Sequence, residues 1–496
     1  MTLHRLWTIC LLIGMIQTNF LLKASAKTFT WREWWKHTVI YQIYSLSFMD
    51  TNGDGFGDLN GIRSRLDYLV DIGIDTVWMT PVYESPMKDF GYDISNYTKI
   101  YPLFGTMEDF DALIHEMHVK GIRLIMDFVP NHTSDKHKWF VESRKSKNIS
   151  NTYRDYYVWK DPKTGCQDPD KNSRSDTCIP NNWVGHFGGS TWTWVPERKQ
   201  YYYHQNLKEQ PDVNYRNPKI VEEMKDALRF WLDRGVDGFR VDSIRYLYED
   251  ESFADEPIDP NFIPPPNMTQ PLVQSLLHWY TADLPEIHTV VKSWRSEVFA
   301  KYSTPPNYRF LGTQAYGNAT ALSLYYGSKD EPEADFPFNF QMIMLKQETL
   351  SGIEVHRLID EWLTNIPHGA WPNWVFSHHG KDRIANRFGP ANHRGGLILN
   401  LLLPGTPNVY YGEELGMSDI DIKFEDQQDP GGKNNPCCWK KFNRDQHRSP
   451  MQWDSNTNAG FSASDKTWLP VHENYLRGIN VLQLINFCYD PHFIPC

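Results

Sequence analysis

Short apolar runs rich in β-branched and aromatic residues recur along this chain. They are separated by stretches in which apolar residues return every three to four positions. The runs are Val39-Ile40-Tyr41-Gln42-Ile43-Tyr44, Thr76-Val77-Trp78-Met79, Leu124 to Val129 and Gly238-Phe239-Arg240-Val241-Asp242. They continue with Tyr308 to Tyr316, Asp335 to Phe340, Trp374 to His379 and Val409-Tyr410-Tyr411. Helical periodicity marks Glu108 to Val119, Ile220 to Leu232 and Val355 to Leu363. Strands alternating with helices predict an α/β fold with a parallel sheet, and their number and the chain length favour a (β/α)₈ TIM barrel over an open doubly wound sheet. The connection from the third strand to the helix near Pro218 is far longer than the roughly 2–6 residues usual for a βα loop. It predicts an inserted subdomain at the mouth of the barrel. The expected division is a leader over 1–26, barrel over 27–131, inserted subdomain over 132–215, barrel again over 216–480, and an atypical tail over 481–496.

Composition narrows the class of protein. The 496 residues carry a formal net charge of −11, and 40% are hydrophobic. That is ample material for a core and excludes disorder as the main state. The acidic balance argues against a nucleic-acid or anionic-membrane surface. Aromatic residues reach 14%; such rings stack on sugar faces, but composition alone does not separate that role from core packing.

The N-terminus reads as a secretory leader. His4 and Arg5 precede the apolar stretch Leu6 to Met15, and Ala24-Ser25-Ala26 offers a small-residue cleavage site. Gln17, Thr18 and Asn19 interrupt the run, which therefore falls short of the roughly 20 apolar residues of a membrane span. A secreted, extracellular protein without a membrane span after leader removal is expected. Six cysteines follow Ala26, an even set compatible with disulfides in an oxidising compartment. Cys166 and Cys178 close a short polar loop and are the expected pair. Cys437 and Cys438 are expected to pair elsewhere, if at all. A zinc site is not expected, since no CxxC with matching His spacing occurs. Among the sequons, Asn148, Asn267 and Asn318 lie in polar stretches suited to glycans.

Chemistry in a barrel of this type sits at the C-terminal strand ends. There, Arg240 and Asp242 are two apart in a strand and share a face. An arginine beside a carboxylate favours its ionised form and orients it. A fixed, ionised carboxylate is what a glycosidase nucleophile requires; the alternative is a structural ion pair.

Several ordered segments resemble the motif set of the α-amylase superfamily (glycoside hydrolase family 13), in particular its maltase-like α-glucosidases. They are Gly91-Tyr92-Asp93, Asp127-Phe128-Val129-Pro130-Asn131-His132, Gly238-Phe239-Arg240-Val241-Asp242, Gly405-Thr406-Pro407, Tyr411-Gly412-Glu413-Glu414 and Arg448-Ser449-Pro450-Met451-Gln452-Trp453-Asp454. The same stretches resemble the ectodomain of the amino-acid-transporter heavy chain rBAT, which shares the fold without glycosidase function. The resemblance implies Asp242 as nucleophile and Arg240 as its partner. It implies that Tyr92, Asp93, His132, His379 and Arg448 hold the terminal glucose in a pocket.

The resemblance also exposes departures. Where the family has a catalytic Glu within Thr-Glu-Ala-Tyr, this chain has Thr313-Gln314-Ala315-Tyr316; where the family has Asn-His-Asp, it has His378-His379-Gly380. Gln314 thus stands at the acid/base position and Gly380 at the third carboxylate position. Glutamine has no transferable proton at neutral pH, and loss of general acid–base help costs roughly 10²–10⁴ in rate. Asp382 shares the parity of Gly380 and is the one nearby carboxylate that could lean inward.

Separately, Asp50, Asn52, Asp54 and Asp58 place oxygens at positions 1, 3, 5 and 9 of a loop, with Phe56 offering a carbonyl. This resembles the start of a calcium loop, at a place where maltase-like relatives bind Ca²⁺. No organic cofactor is implied. The resemblance also implies a β-sandwich after the barrel, of which the tail shows no sign. The expectation is a maltase-like protein that takes the terminal α-linked glucose of maltose, sucrose or short oligosaccharides, with strongly impaired hydrolysis. The alternatives are an active retaining α-glucosidase and a transporter-associated subunit. A protein partner is expected if the site is idle.

Overall fold

The computed structural model describes residues 31–489. The expected leader and Cys10 and Cys496 lie outside the described residues, as does the side chain of Cys488.

Eight parallel strands form the barrel: β1 (Ile40–Ile43), β2 (Thr76–Met79), β3 (Arg123–Phe128), β4 (Gly238–Val241), β5 (Phe310–Thr313), β6 (Phe336–Pro337), β7 (Asn373–Val375) and β8 (Thr406–Tyr410). All eight predicted runs become these strands. They are nearly continuous apolar runs because parallel strands are covered on both faces; every residue of β1, β2, β4 and β5 is buried. Neighbouring strands pair in sequence order from β1 to β6, and β1 also pairs with β8, which pairs with β7.

Between β6 and β7 no regular ladder forms, and a side chain completes the ring. Asn373 Nδ2 donates to the Pro337 carbonyl at 2.6 Å, and its Oδ1 accepts from the Asn339 N–H at 2.9 Å. A single backbone bond, Val375 N–H to the Asn339 carbonyl at 3.3 Å, accompanies it. The Asn373 amide thus does the work of a peptide unit.

Helices pack outside this ring, and their ends are set by sequence. Helix α1 (Met107–Val119) begins with a Thr106–Asp109 capping box. Helix α2 (Pro218–Asp233) has Asn217 as its cap and Pro218 in its first turn. Helices α3 (Glu286–Trp294), α4 (Gly352–Asn365) and α5 (His393–Leu402) follow. The buried faces are those the periodicity picks out, such as Phe110, Leu113, Ile114 and Met117 on α1.

The long β3–α2 connection carries a three-stranded antiparallel sheet. Gln200–Tyr203 lies between Trp159–Lys160 and Trp192–Val195. A separate small core of Val158, Cys178, Trp183, Trp192, Tyr201 and Tyr203 holds it, and a disulfide joins Cys166 to Cys178. Residues 481–489, set apart by sequence as a tail, form a helix whose start is tied to the barrel. Val481 N–H donates to the Gln452 carbonyl at 3.0 Å and Leu482 N–H to the Trp453 carbonyl at 2.9 Å.

Candidate active site

The ends of β3 and β4 gather one cation and two carboxylates. Strand register sets Asp127 beside Arg240. Arg240 Nη1 donates to Asp127 Oδ1 at 2.5 Å and to Asp242 Oδ1 at 2.6 Å. Asp127 is fully buried, whereas the Asp242 side chain keeps 14% exposure and is the accessible member. Ser243 Oγ donates to Asp242 Oδ2 at 2.8 Å, so both oxygens are fixed. Ser243 itself sits at φ +52°, in the left-handed region; strained turns of this kind gather at functional sites.

Behind this triad runs an aromatic and imidazole network. Trp78 Nε1 donates to Asp127 Oδ2 at 3.1 Å, and the Tyr92 hydroxyl donates to the same oxygen at 2.9 Å. Having spent its only proton there, Tyr92 accepts from His379 Nε2 at 2.9 Å. His379 Nδ1 then accepts from the Gln42 amide at 2.6 Å. The His379 ring also stacks on Tyr92 at 5.4 Å and on Tyr44 at 5.9 Å. Arg448 Nε donates to the His379 carbonyl at 2.8 Å, and its Nη2 is buried without a partner among the described residues. An unpaired buried guanidinium nitrogen is a donor in want of a ligand hydroxyl or a water. His132 is buried with its ring nitrogens against Asn131 Oδ1 (2.9 Å) and the Tyr92 carbonyl (3.1 Å).

Burial and charge set the protonation of this wall. Burial opposes the charge on Arg240, but Asp127 and Asp242 outweigh it and hold its pKa above the ordinary value. Burial pushes the Asp127 carboxyl up to about 6, with Arg240 opposing and Asp242 adding to the rise. Burial lowers His132 and, reinforced by Arg448, holds His379 well below the usual imidazole range.

Asp93, which the resemblance implies as a glucose-holding residue, is engaged by its own loop. It is fully buried and accepts from Ser85 Oγ (3.0 Å), Lys88 N–H (2.9 Å) and Asp89 N–H (2.9 Å). Its oxygens clamp their own loop, and burial pushes its carboxyl up to about 6. Glu413 and Glu414 are likewise internal clasps; Glu414 accepts from Tyr41 at 2.7 Å and from Tyr68 at 2.8 Å.

The ends of β5 and β7 form an uncharged wall. Gln314 Oε1 accepts from the Ser243 N–H at 3.3 Å, so the amide reaches the turn that carries Asp242. A Cβ on Gly380 would stand 2.7 Å from His378 Cε1 and 3.1 Å from its Nδ1. The imidazole of His378 therefore occupies the space a larger residue at 380 needs. Burial, then the Arg240 charge, holds His378 well below the imidazole range. Its neutral ring accepts the Gly380 N–H at Nδ1 (3.0 Å) and so donates from Nε2 to the Tyr316 hydroxyl at 3.1 Å. Asp382 lies within ion-pair reach of His447, at 3.7 Å, and of no other cationic side chain among the described residues. It is not brought to the Asp242 triad.

Strand parity picked out Arg240 and Asp242 but passed over Asp127, His378, Tyr316 and Gln42. For Asp127 a signal exists: a charge inside an otherwise apolar strand must find a partner, and the next barrel strand offers Arg240.

Two groups built from oxygen donors alone could hold a cation. In the Asp50–Asp58 loop, Asp50 accepts from Asn52, Gly53 and Gly55 N–H and from Ser462 Oγ, and Asp58 accepts from Thr51 and Gly61. Asn52 and Asp54 are exposed and accept only from neighbouring N–H groups. The donors are all hard oxygens, and no basic side chain pairs with Asp50, Asp54 or Asp58 among the described residues, so the loop fits Ca²⁺ chemically. Elsewhere, Asn131 donates to buried Asp212 at 2.9 Å and to the Tyr246 carbonyl at 2.6 Å, and buried Glu249 lies within electrostatic reach of Asp212. Burial and their mutual repulsion raise Glu249 well above its ordinary value, and burial does the same to Asp212. Sequence spacing gave no hint of this second group.

Among the sequons, Asn148, Asn267 and Asn318 are exposed, while Asn131 is buried. Among the described residues Cys437 and Cys438 form no disulfide; their Sγ atoms face each other at 2.6 Å.

Comparison with known proteins completes the description. The model of the α-amylase catalytic domain matches residues 42–487. An α-glucosidase of Apis mellifera is 44% identical over 441 residues, covering 88% of this chain and 73% of that protein. The amino acid transporter heavy chain SLC3A1 of Homo sapiens is 42% identical over 446 residues, covering 89% of this chain and 61% of its own. Among solved structures, the α-glucosyl transfer enzyme XgtA superposes with a TM-score of 0.81 at 35% identity, covering 91% of this chain and 81% of that one.

Proposed function

The chain belongs to the α-amylase catalytic-domain family, among maltase-type α-glucosidases and their transporter heavy-chain relatives, and from that premise we propose that it is a glucoside-binding member with strongly impaired or no hydrolysis. One observation carries the reading. The wall that should deliver and recover a proton holds an amide, Gln314, and a neutral imidazole, His378, packed over Gly380.

Retaining hydrolysis needs two carboxyl groups, one attacking the anomeric carbon and one protonating the leaving oxygen and later activating water. Asp242 is set for the first task, with both oxygens fixed by Arg240 and Ser243. Gln314 can donate a hydrogen bond to a leaving oxygen but has no proton to give up. The Arg448 Nη2 group and the Tyr92–His379 face are suited to hold a terminal glucose: one offers an unspent donor, the other an apolar stacked surface. The ligand class is the terminal α-linked glucose of maltose, sucrose or short oligosaccharides.

Three attributes belong to the same proposal. The Asp50–Asp58 loop holds Ca²⁺ as a structural ion, supported by its hard-oxygen donors. Asn148, Asn267 and Asn318 carry glycans, supported by their exposure. The protein is secreted, supported by relatives named salivary α-glucosidases. No helix of the described residues is long and apolar enough to cross a membrane.

The test compares the unmodified chain with a Gln314→Glu, Gly380→Asp, His378→Asn variant on maltose and sucrose. The third exchange is needed because His378 fills the space of an aspartate at 380. Near-background turnover by the unmodified chain is expected, with a gain of roughly 10²–10⁴ in the variant. Substantial turnover by the unmodified chain would overturn the proposal in favour of an active α-glucosidase. Calorimetry with maltose reads binding apart from turnover. Identity to the transporter heavy chain favours a second reading, a partner-bound subunit, for which maltose binding by neither chain is the expected result.

A further inference from the structure

Outside the site described above, one buried histidine is left bare. His447 is 2% exposed, and neither ring nitrogen has a hydrogen-bond partner among the described residues. A buried polar group left without a partner is costly, so such a ring calls for an occupant. It stands with two carboxylates, Asp382 from the loop after β7 and Asp419 from the loop after β8. The candidate ligand atoms of all three lie within 4.8 Å of one another.

We propose that Asp382, Asp419 and His447 form a Zn²⁺ site. His447 Nδ1 and Asp382 Oδ1 are 3.7 Å apart, too far for a hydrogen bond. That spacing is close to the edge of a zinc tetrahedron, about 3.3 Å for ligands at about 2.0–2.1 Å from the ion. Asp419 Oδ1 accepts the Arg383 N–H at 3.0 Å, which fixes the carboxylate as an outer hydrogen bond fixes a metal ligand. Asp382 is 46% exposed on its side chain and provides the route by which an ion enters.

The charge balance is right for a dication: two carboxylates and one imidazole. The neighbouring guanidinium groups bond to backbone carbonyls and not to the two carboxylates: Arg383 Nη1 donates to Tyr411, Arg387 Nη1 to Leu345 and Arg387 Nε to the Asp382 carbonyl. Neither forms an ion pair with Asp382 or Asp419 among the described residues. Carboxylates alone suit Mg²⁺ or Ca²⁺, whereas a mixed imidazole–carboxylate set with a place left for water suits zinc. Cysteine spacing argues against a thiolate zinc site; this one uses no cysteine. A bound ion ties the β7 and β8 loops to the segment carrying Arg448.

The test uses the full chain, stripped with a chelator and returned to excess Ca²⁺ so that oxygen-only sites are filled. Calorimetric titration with ZnCl₂ is expected to show about one tight site per chain. Co²⁺ in its place is expected to give visible absorption. His447→Gln and Asp382→Asn are each expected to weaken Zn²⁺ at least tenfold. Asp382 is half-exposed, so its variant keeps the test decisive should His447→Gln fail to fold. No tight zinc site in the unmodified chain, or unchanged binding in Asp382→Asn, overturns the proposal.

Discussion

The two walls of the candidate site are built from the same kind of strand end but follow opposite electrostatic rules. On the β3–β4 side a buried arginine is shared by two carboxylates, and the accessible one, Asp242, has both oxygens fixed. On the β5–β7 side an amide, a neutral imidazole and a tyrosine hydroxyl form a hydrogen-bonded wall with no carboxyl group. A charge network fails badly when one member is removed, because the remaining charges stay buried and unpaired. A neutral wall can change composition at small cost. The contrast sets a fixed, accessible carboxylate on one wall against neutral hydrogen-bonding groups on the other.

The largest test of this contrast is Arg240→Met. It strands Asp127 and Asp242 and is expected to cost about 3–5 kcal/mol in urea unfolding. His378→Asn on the opposite wall is expected to cost far less. Similar losses would break the comparison.

A pH titration comes next. Burial pushes the Asp127 carboxyl up to about 6 in the folded chain, from an ordinary value of 3.8. Its contribution to stability is therefore whole below about pH 3.8 and lost as pH rises through about 6, by up to about 3 kcal/mol. The stability of the unmodified chain relative to Asp127→Asn should increase as pH falls from 7 to 4. A flat difference would mean that burial does not govern that carboxyl. Burial holds His378 and His379 well below the usual imidazole range.

Gly380→Asp alone should cost about 1–3 kcal/mol through overpacking, and adding His378→Asn should recover most of it. Failure of the second exchange to help would show that His378 is not what fills the space. Last, Tyr316→Phe removes the acceptor of His378 Nε2 and should cost about 0.5–1.5 kcal/mol in thermal or urea unfolding.

The sequence makes one wall far more legible than the other. Arg240 and Asp242 are two apart in one strand, and parity alone pairs them. The eight strands are legible because burial on both faces leaves contiguous apolar runs. The second wall depends on contacts that no spacing encodes. That His378 fills the space over Gly380 requires the path of the chain after β7. That Asp127 neighbours Arg240 requires the register of β3 with β4. The Cys437–Cys438 contact and the unpartnered His447 ring appear only once loops are folded against one another. Asp93 shows the converse: a motif residue whose loop takes up its oxygens.

The Asn373 amide has a mechanical consequence. A ring of strands is as durable as its weakest join, and this ring is fastened at one point by a side chain with a single backbone bond beside it. Local opening should begin there, so the Asn339 and Val375 amides should trade their protons for deuterium ahead of the β2–β3 ladder. The neutral wall hangs from the strand beside that clasp, which makes the half of the site without a carboxyl also the half free to breathe.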